Sequence, residues 1–208
     1  MQSTISKDAI NELPLKQFEG KVIVVEDPVR VPEIVEKLQK EKVIGFDTET
    51  KPSFKKGVSH EISLLQLSTQ KEAYLFRINT TGFNGSLTKL LNNPKVIKAG
   101  VGIRDDLRGL KQLNNFVPKG FIELQEMAPK YGIDVLSLKN LAGLLLGIRV
   151  SKRQRLSNWE AQELSEGQIL YAATDAWVSL EIYNKMKELK PAPQKPAEDQ
   201  SNKKAHNS

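Results

Sequence analysis

Cysteine is absent from the 208-residue chain, and histidine occurs only twice, at His60 and His206. The first absence excludes disulfides, thiolate zinc sites and cysteine nucleophiles. The scarcity of histidine, with one of the pair in a polar tail, removes zinc sites rich in nitrogen ligands. Any metal held here must be bound mainly by oxygen, which points to hard cations such as Mg2+ or Mn2+. Long apolar runs are missing too. No stretch reaches the ~18 residues that a membrane-spanning helix requires, so no membrane contact is expected. The opening MQSTISKDAINELPL lacks a basic start followed by an apolar stretch, which predicts no secretory leader and a cytoplasmic protein.

What is present is ordinary for a globular chain: 39% hydrophobic and 27% charged residues, enough for one core. A net charge of +6 and an isoelectric point near 9.3 suit a nucleic-acid partner, because clustered cations neutralise phosphates. Mild basicity is also common among soluble proteins, so charge alone decides nothing. The segment 190–208 holds four lysines against two acids, which leaves +4 for the rest. Its Pro, Lys, Ala and Asn content without apolar periodicity predicts disorder. Residues 1–20 read as a polar lead-in, and 21–189 as a single folded unit.

Within that unit KVIVVED (21–27) predicts a strand and VPEIVEKLQKE (31–41) a helix with proline in its first turn. Three β-rich segments follow, VIGFDTE, EISLLQLST and EAYLFRI, the last two joined by a tight turn over Ser68–Lys71. SLTKLLNN reads as a short helix with Ser86 as N-cap, and KVIKAGV (95–101) as another strand. From IRDDLRGLKQL onward the pattern is largely helical, with Leu136, Leu138, Leu141, Leu144, Leu145 and Ile148 at three- and four-residue spacing. The last helix begins at SEGQ, where Ser165 and Gln168 fit a capping box. Strands first and helices later predict an α/β fold, a mixed sheet with helices on its faces.

Four places carry unusual chemistry. VIGFDTET (43–50) ends an apolar run with Asp47 and Glu49, two apart and therefore on one face of a strand, with Thr48 opposite. Adjacent carboxylates repel unless a proton or a cation lies between them. AGVGIRDDL turns a strand into a helix. Its GVG fails as a dinucleotide fingerprint because the third glycine position is Asp105, so no organic cofactor is expected. Helix phase places Asp106 beside the inward face of Ile103, Leu107 and Leu110, and Asp105 toward water. In YAATD, Tyr171 and Asp175 stand one above the other, four apart, with small Ala172 and Ala173 allowing close packing. In SKRQRLSNW, Lys152, Arg153 and Arg155 precede Asn158 and Trp159, a combination able to hold a phosphate backbone and stack a base. Taken singly, each has an ordinary explanation: a turn, a helix-dipole acid, a core tyrosine and a solvated loop.

Together, FDTE, GVGIRDD and YAATD resemble the three exonuclease motifs of the DEDD superfamily, in the branch whose third motif is Tyr-x-x-x-Asp. The likeness spans roughly residues 43–186. It is greatest to the Werner-type exonuclease domain and more distant to ribonuclease D. The resemblance implies a ribonuclease-H-like fold and a 3′–5′ exonuclease using two divalent cations, with DNA favoured over RNA as substrate. It implies that Asp47 bridges both ions, that Glu49 and Asp175 complete one site, that Asp106 holds the other ion through water, and that Tyr171 orients the attacking water. Thr48, Lys152, Arg153, Arg155, Asn158 and Trp159 are placed at the substrate. The same motifs leave open RNA trimming, or a catalytically idle nucleic-acid-binding module on this fold; the complete acid set argues against the latter.

Overall fold

The computed structural model describes residues 2–193. Its strands are β1 (Lys21–Val25), β2 (Val43–Thr50), β3 (Ile62–Ser68), β4 (Glu72–Arg77), β5 (Ile97–Gly100) and β6 (Phe121–Glu123). The helices are α1 (Lys7–Glu12), α2 (Val31–Leu38), α3 (Ile78–Thr81), α4 (Gly85–Leu91), α5 (Ile103–Leu113), α6 (Leu124–Met127), α7 (Leu138–Leu141) and α8 (Glu166–Glu188). The strands make one six-stranded sheet in the order β1–β4–β3–β2–β5–β6. Only β3 runs against the others. This is the mixed sheet flanked by helices that the order of elements predicts.

Strand alternation sorts β2 between two cores. Ile44 and Phe46 face α2, α4 and α5, in a core with Val35, Leu38, Leu87, Leu90, Ile103 and Leu110. Gly45, Asp47 and Glu49 face the other way, toward α8. There Leu64, Ala73 and Leu75 pack against Ala172 and Ala173, while Val178 and Ile182 join Leu124, Leu141 and Leu145 farther along. Gly45 makes the close approach possible. A Cβ at this position would stand 1.8 Å from the Ala176 carbonyl oxygen, so α8 lies on β2 with nothing between them.

Several local expectations need correction. The cap of α4 is Asn84, whose side chain accepts from the Ser86 and Leu87 amides; Ser86 lies inside the helix. An Asn at this position satisfies two of the unpaired amides of the first turn. The polar lead-in, whose order the sequence leaves open, is packed against the fold. Ile10 and Phe18 are buried, Ser6 caps α1, and the Phe18 amide donates to Thr174 Oγ1 at 3.0 Å. Strand β6 is three residues long, too short for a periodic signal. Between α5 and α8, the stretch expected to be largely helical contains β6, α6, α7, short 3-10 and π turns and an irregular run from 147 to 165. Of the spaced residues there, Leu141 and Leu145 are buried, Leu138, Leu144 and Ile148 pack half-buried against the same core, and Leu136 is exposed, so they do not form one long helix. The disorder expected over 190–208 does not hold at its start, where the Ala192 amide bonds to the Lys130 carbonyl; residues 194–208 lie outside the described residues. The capping box of α8 is present as predicted, with Ser165 and Gln168 bonding reciprocally.

The α8–β2 approach generates a stability test. Gly45→Ala forces a methyl into the Ala176 carbonyl, and overpacking of this kind costs about 1–3 kcal/mol. Urea titration is expected to show a lower midpoint with an unchanged slope. A midpoint equal to wild type would mean that α8 does not rest on β2.

Candidate active site

Two strand positions and one helix position build the centre. Asp47 and Glu49 project from the α8 face of β2, and Asp175 comes down from α8 beside them. One carboxylate oxygen from each lies within 4.8 Å of the other two. Asp106 approaches from the opposite side. Strand β2 pairs with β5 only as far as Gly45, so its second half leaves an edge uncovered. The chain turns at Gly102, in the left-handed conformation at φ +77°, and sets the first turn of α5 near that edge. Glu123 secures the turn by accepting from the Gly102 amide at 2.9 Å and the Ile103 amide at 2.7 Å. Thr48, on the α5 face as alternation requires, donates its hydroxyl to Asp106 Oδ1 at 2.5 Å. Asp106 is thus held by Thr48 and stands outside the three-carboxylate cluster. Asp105 faces water and pairs with Arg108 at 2.9 Å, which agrees with the helix-phase argument.

The electrostatics follow from burial. The Asp47 carboxyl is pushed well above the usual range by desolvation, then by the charges of Glu49, Asp175 and Asp106. Glu49 rises to about 9, from burial first and then Asp175 and Asp106, with the Arg155 charge pulling it back. Burial lifts Asp175 to about 7 against the opposing influence of the Tyr171 hydroxyl and Lys152. Asp106 rises to about 6 through burial, moderated by its bond from Thr48. The Tyr171 phenol is raised by burial and by the anions of Asp175 and Glu49, so it remains a protonated donor facing Asp175. Among the described residues, the ion pairs involve other acids and leave these four unneutralised. Oxygen donors crowded together at this cost are the donor set of a hard divalent cation, and Asp47, Glu49 and Asp175 fit one.

The basic segment divides. Lys152, Arg153 and Arg155 are exposed. Lys152 and Arg153 line a cleft that reaches Tyr171 and Asp175, and Arg155 acts on Glu49. Asn158 is spent locally: its Oδ1 accepts from the Glu160 amide, and its carbonyl accepts from Gln168 Nε2. Trp159 is not a surface platform for a base. It is fully buried, with its ring 6.0 Å from that of Tyr171, so it packs behind the tyrosine. A sequence shows an aromatic beside cations but not which way the ring turns.

Residues unremarked in the sequence hold this wall in place. Buried Arg77 donates to the Ala161 carbonyl at 2.5 Å and to Glu26 at 3.2 Å. Glu160 binds Lys51 at 2.9 Å and His60 at 3.0 Å. Gln66, directly across the ladder from Asp47, is fully buried beneath α8. A glutamine inside a strand carried no signal of its own; only the register puts it beside the acid.

Raised acids give a signed prediction. Between about pH 4, near their unperturbed values, and about pH 9, these acids hold more protons in the folded chain than in the unfolded one, so their contribution to stability falls as pH rises. In EDTA the thermal midpoint is expected to drop from pH 5 to pH 9, and Mn2+ is expected to remove most of the drop. Asp47→Asn is expected to flatten the profile. A midpoint independent of pH in EDTA would show that the acids are not buried together.

Known proteins resemble this chain in sequence and in fold. A family model described as 3′–5′ exonuclease matches residues 22–190. The mouse bifunctional 3′–5′ exonuclease/ATP-dependent helicase WRN is 37% identical over 150 residues, covering 69% of this chain and 11% of that protein. Ribonuclease D of Gluconacetobacter diazotrophicus is 33% identical over 146 residues, 68% of this chain and 36% of the relative. The chain therefore spans only a minor part of these relatives. The crystal structure of the Aedes aegypti Nibbler EXO domain superposes with a TM-score of 0.73 at 25% identity, covering 84% of this chain and 91% of that one. Among the described residues no helix is long and apolar enough to cross a membrane. By its matched length, its sheet and the motifs that meet at β2, α5 and α8, this chain belongs to the DEDD-type 3′–5′ exonuclease family.

Proposed function

We propose that this chain hydrolyses nucleic acid from the 3′ end, releasing nucleoside 5′-monophosphates. The observation that carries the reading is the meeting of Asp47, Glu49 and Asp175 within 4.8 Å, with the Tyr171 hydroxyl facing Asp175. Asp47, Glu49 and Asp175 would hold one divalent cation, Mg2+ or Mn2+, and Asp47 with Asp106 a second. Such a pair supplies neutralisation of the phosphate charge and a more acidic water.

The chain's own groups do the rest. Tyr171, kept protonated by its surroundings, orients the attacking water with its hydroxyl. The α8–β2 contact fixes that hydroxyl relative to Asp47. Lys152, Arg153 and Arg155 hold the phosphates, and Thr48 sets the Asp106 carboxylate. Water adds across the terminal P–O3′ bond: the phosphate leaves with the mononucleotide, and the shortened strand keeps a 3′-hydroxyl. DNA is the favoured substrate, following the Werner-type likeness of the motifs. The ribonuclease D relative supports RNA as the second reading.

Digestion of matched 3′- and 5′-end-labelled DNA and RNA with Mg2+, Mn2+ or EDTA tests this. Mononucleotide release from the 3′ label, a receding ladder from the 5′ label and silence in EDTA are expected. Internal cuts or no degradation would overturn the reading. Asp47→Ala and Asp106→Ala are expected to abolish most turnover, whereas Asp105→Ala retains it; the reverse order for the last two would reassign the α5 acid.

Tyr171→Phe keeps the ring and removes the hydroxyl. An orienting group of this kind typically contributes about 10²–10⁴-fold, so kcat is expected to fall by that order while the thermal midpoint holds. Near-normal kcat in the folded variant would reduce Tyr171 to a packing residue.

A further inference from the structure

The family match begins at residue 22, yet the residues before it reach the candidate site. Leu15 forms a parallel β-bridge with Arg149. The Lys16 amide bonds to the Arg149 carbonyl at 3.0 Å, and the Arg149 amide to the Pro14 carbonyl at 2.9 Å. Arg149 Nε also donates to the Leu13 carbonyl at 3.3 Å. Farther on, the Phe18 amide is tied to Thr174, the neighbour of Asp175. The N-terminal segment is therefore stitched on one side to the basic run that starts at Arg149, and on the other to the helix that carries Tyr171 and Asp175.

Between these attachments lies a cleft of about 450 Å3. One wall is the N-terminal segment, presenting Asn11, Leu15 and Gln17. Arg149 lies beside that segment through its bridge to Leu15, and the lining continues through Lys139, Lys152 and Arg153 to Tyr171 and Asp175. Asp175 is the one acid in the lining. Lys139 and Arg149 are half-buried, and among the described residues no ion pair includes any of these four cations. Cations gathered along a low-dielectric wall raise the local concentration of anions. The side-chain amides of Asn11 and Gln17 add neutral donors and acceptors to the lining. The volume falls in the range of pockets that hold small organic ligands, about 300–1,000 Å3. That is the scale of a nucleotide unit and not of a duplex.

We propose that residues 11–18 form the outer wall of a subsite for the phosphate–sugar backbone of a single nucleic-acid strand, with Lys139 and Arg149 contacting its phosphates and Gln17 its sugar or base edge. The subsite rests on the exonuclease reading for its orientation toward Tyr171 and Asp175, but its binding chemistry can be measured without cleavage. Nucleic-acid contact then extends beyond the exposed cations next to the carboxylates, and it depends on a segment that precedes the family match.

The test uses the full chain in EDTA and a fluorescein-labelled single-stranded thymidine oligomer, read by anisotropy across a salt series. Lys139→Glu reverses the charge of one proposed phosphate contact that takes no part in the proposed hydrolysis, and Gln17→Glu adds a charge at an exposed position. Lys187→Glu, near the far end of α8, is the charge-matched control for Lys139→Glu and an upper bound on the general charge effect for Gln17→Glu. Lys139→Glu is expected to weaken binding and reduce the slope of log K against log salt by about 0.7 for one lost phosphate contact. Gln17→Glu is expected to weaken binding relative to wild type at low salt, and both variants to keep the wild-type thermal midpoint. Binding of both indistinguishable from the Lys187→Glu control would overturn the subsite. Competition by thymidine monophosphate as strong as by unlabelled oligomer would also overturn it, in favour of a product site. Degradation assays separate the two readings. Wild-type protein that binds as described but releases no mononucleotide with Mg2+ would sink the exonuclease reading and leave the subsite standing. Normal degradation with binding unaltered by either substitution would do the opposite.

Discussion

The contact of α8 with β2 is the constraint on which the site depends. Asp175 belongs to a helix and Asp47 and Glu49 to a strand, so their separation is set by how closely two backbones can approach. Gly45 removes the side chain that would otherwise strike the Ala176 carbonyl, and Ala172, Ala173 and Ala176 are fully buried along the same interface. Larger residues at these places would lift α8 by ångströms. A cluster that needs its oxygens within 4.8 Å of one another would then come apart. Small residues here do electrostatic work: they determine how close like charges are forced to stand.

The closeness carries an energetic cost that the rest of the fold has to offset. Desolvation raises all four acids, and repulsion within the group adds to it at Asp47 and Glu49, whereas apolar burial on both sheet faces supplies the stability that permits it. Hydrogen bonds distribute the remainder. Thr48 steadies Asp106, Glu123 ties down the turn that precedes it, and Tyr171 faces Asp175 with Trp159 packed behind it. Each of these partners sits on a regular element or is anchored to one. Preorganisation of this kind is what positions a water or a phosphate without reorganising at the moment of reaction.

The irregular run from 147 to 165 illustrates how a loop becomes a wall. It has no ladder of its own, and its backbone polar groups find partners elsewhere: Leu15 and Lys16 at one end, Gln168 and Arg77 at the other. Lys51 and His60 hold Glu160 from the β2–β3 connection. Because its ties come from several elements, the run presents Lys152 and Arg153 to one side of the cleft and buries Trp159 on the other. A free loop with the same composition would expose all three.

The strand periods, the capping box at Ser165 and the phase of Asp106 over Asp105 were legible because each is a local rule. Period two fixes which residues of β2 share a face, period 3.6 fixes which residues of α5 turn inward, and a cap joins residues three apart. The acids were legible for the same reason, since carboxylates at the end of an apolar run break the pattern of a buried strand. Register and orientation across long separations were not. Gln66 lies opposite Asp47 because β3 pairs antiparallel with β2; Trp159 turns inward because Arg77 and Gln168 draw its segment against α8; and the lead-in is ordered because Ile10 and Phe18 find buried surfaces to fill. Local sequence sets which way a side chain points from its own backbone, whereas what it meets there depends on segments more than a hundred residues away, as Phe18 and Thr174 show, and only the folded chain brings those together.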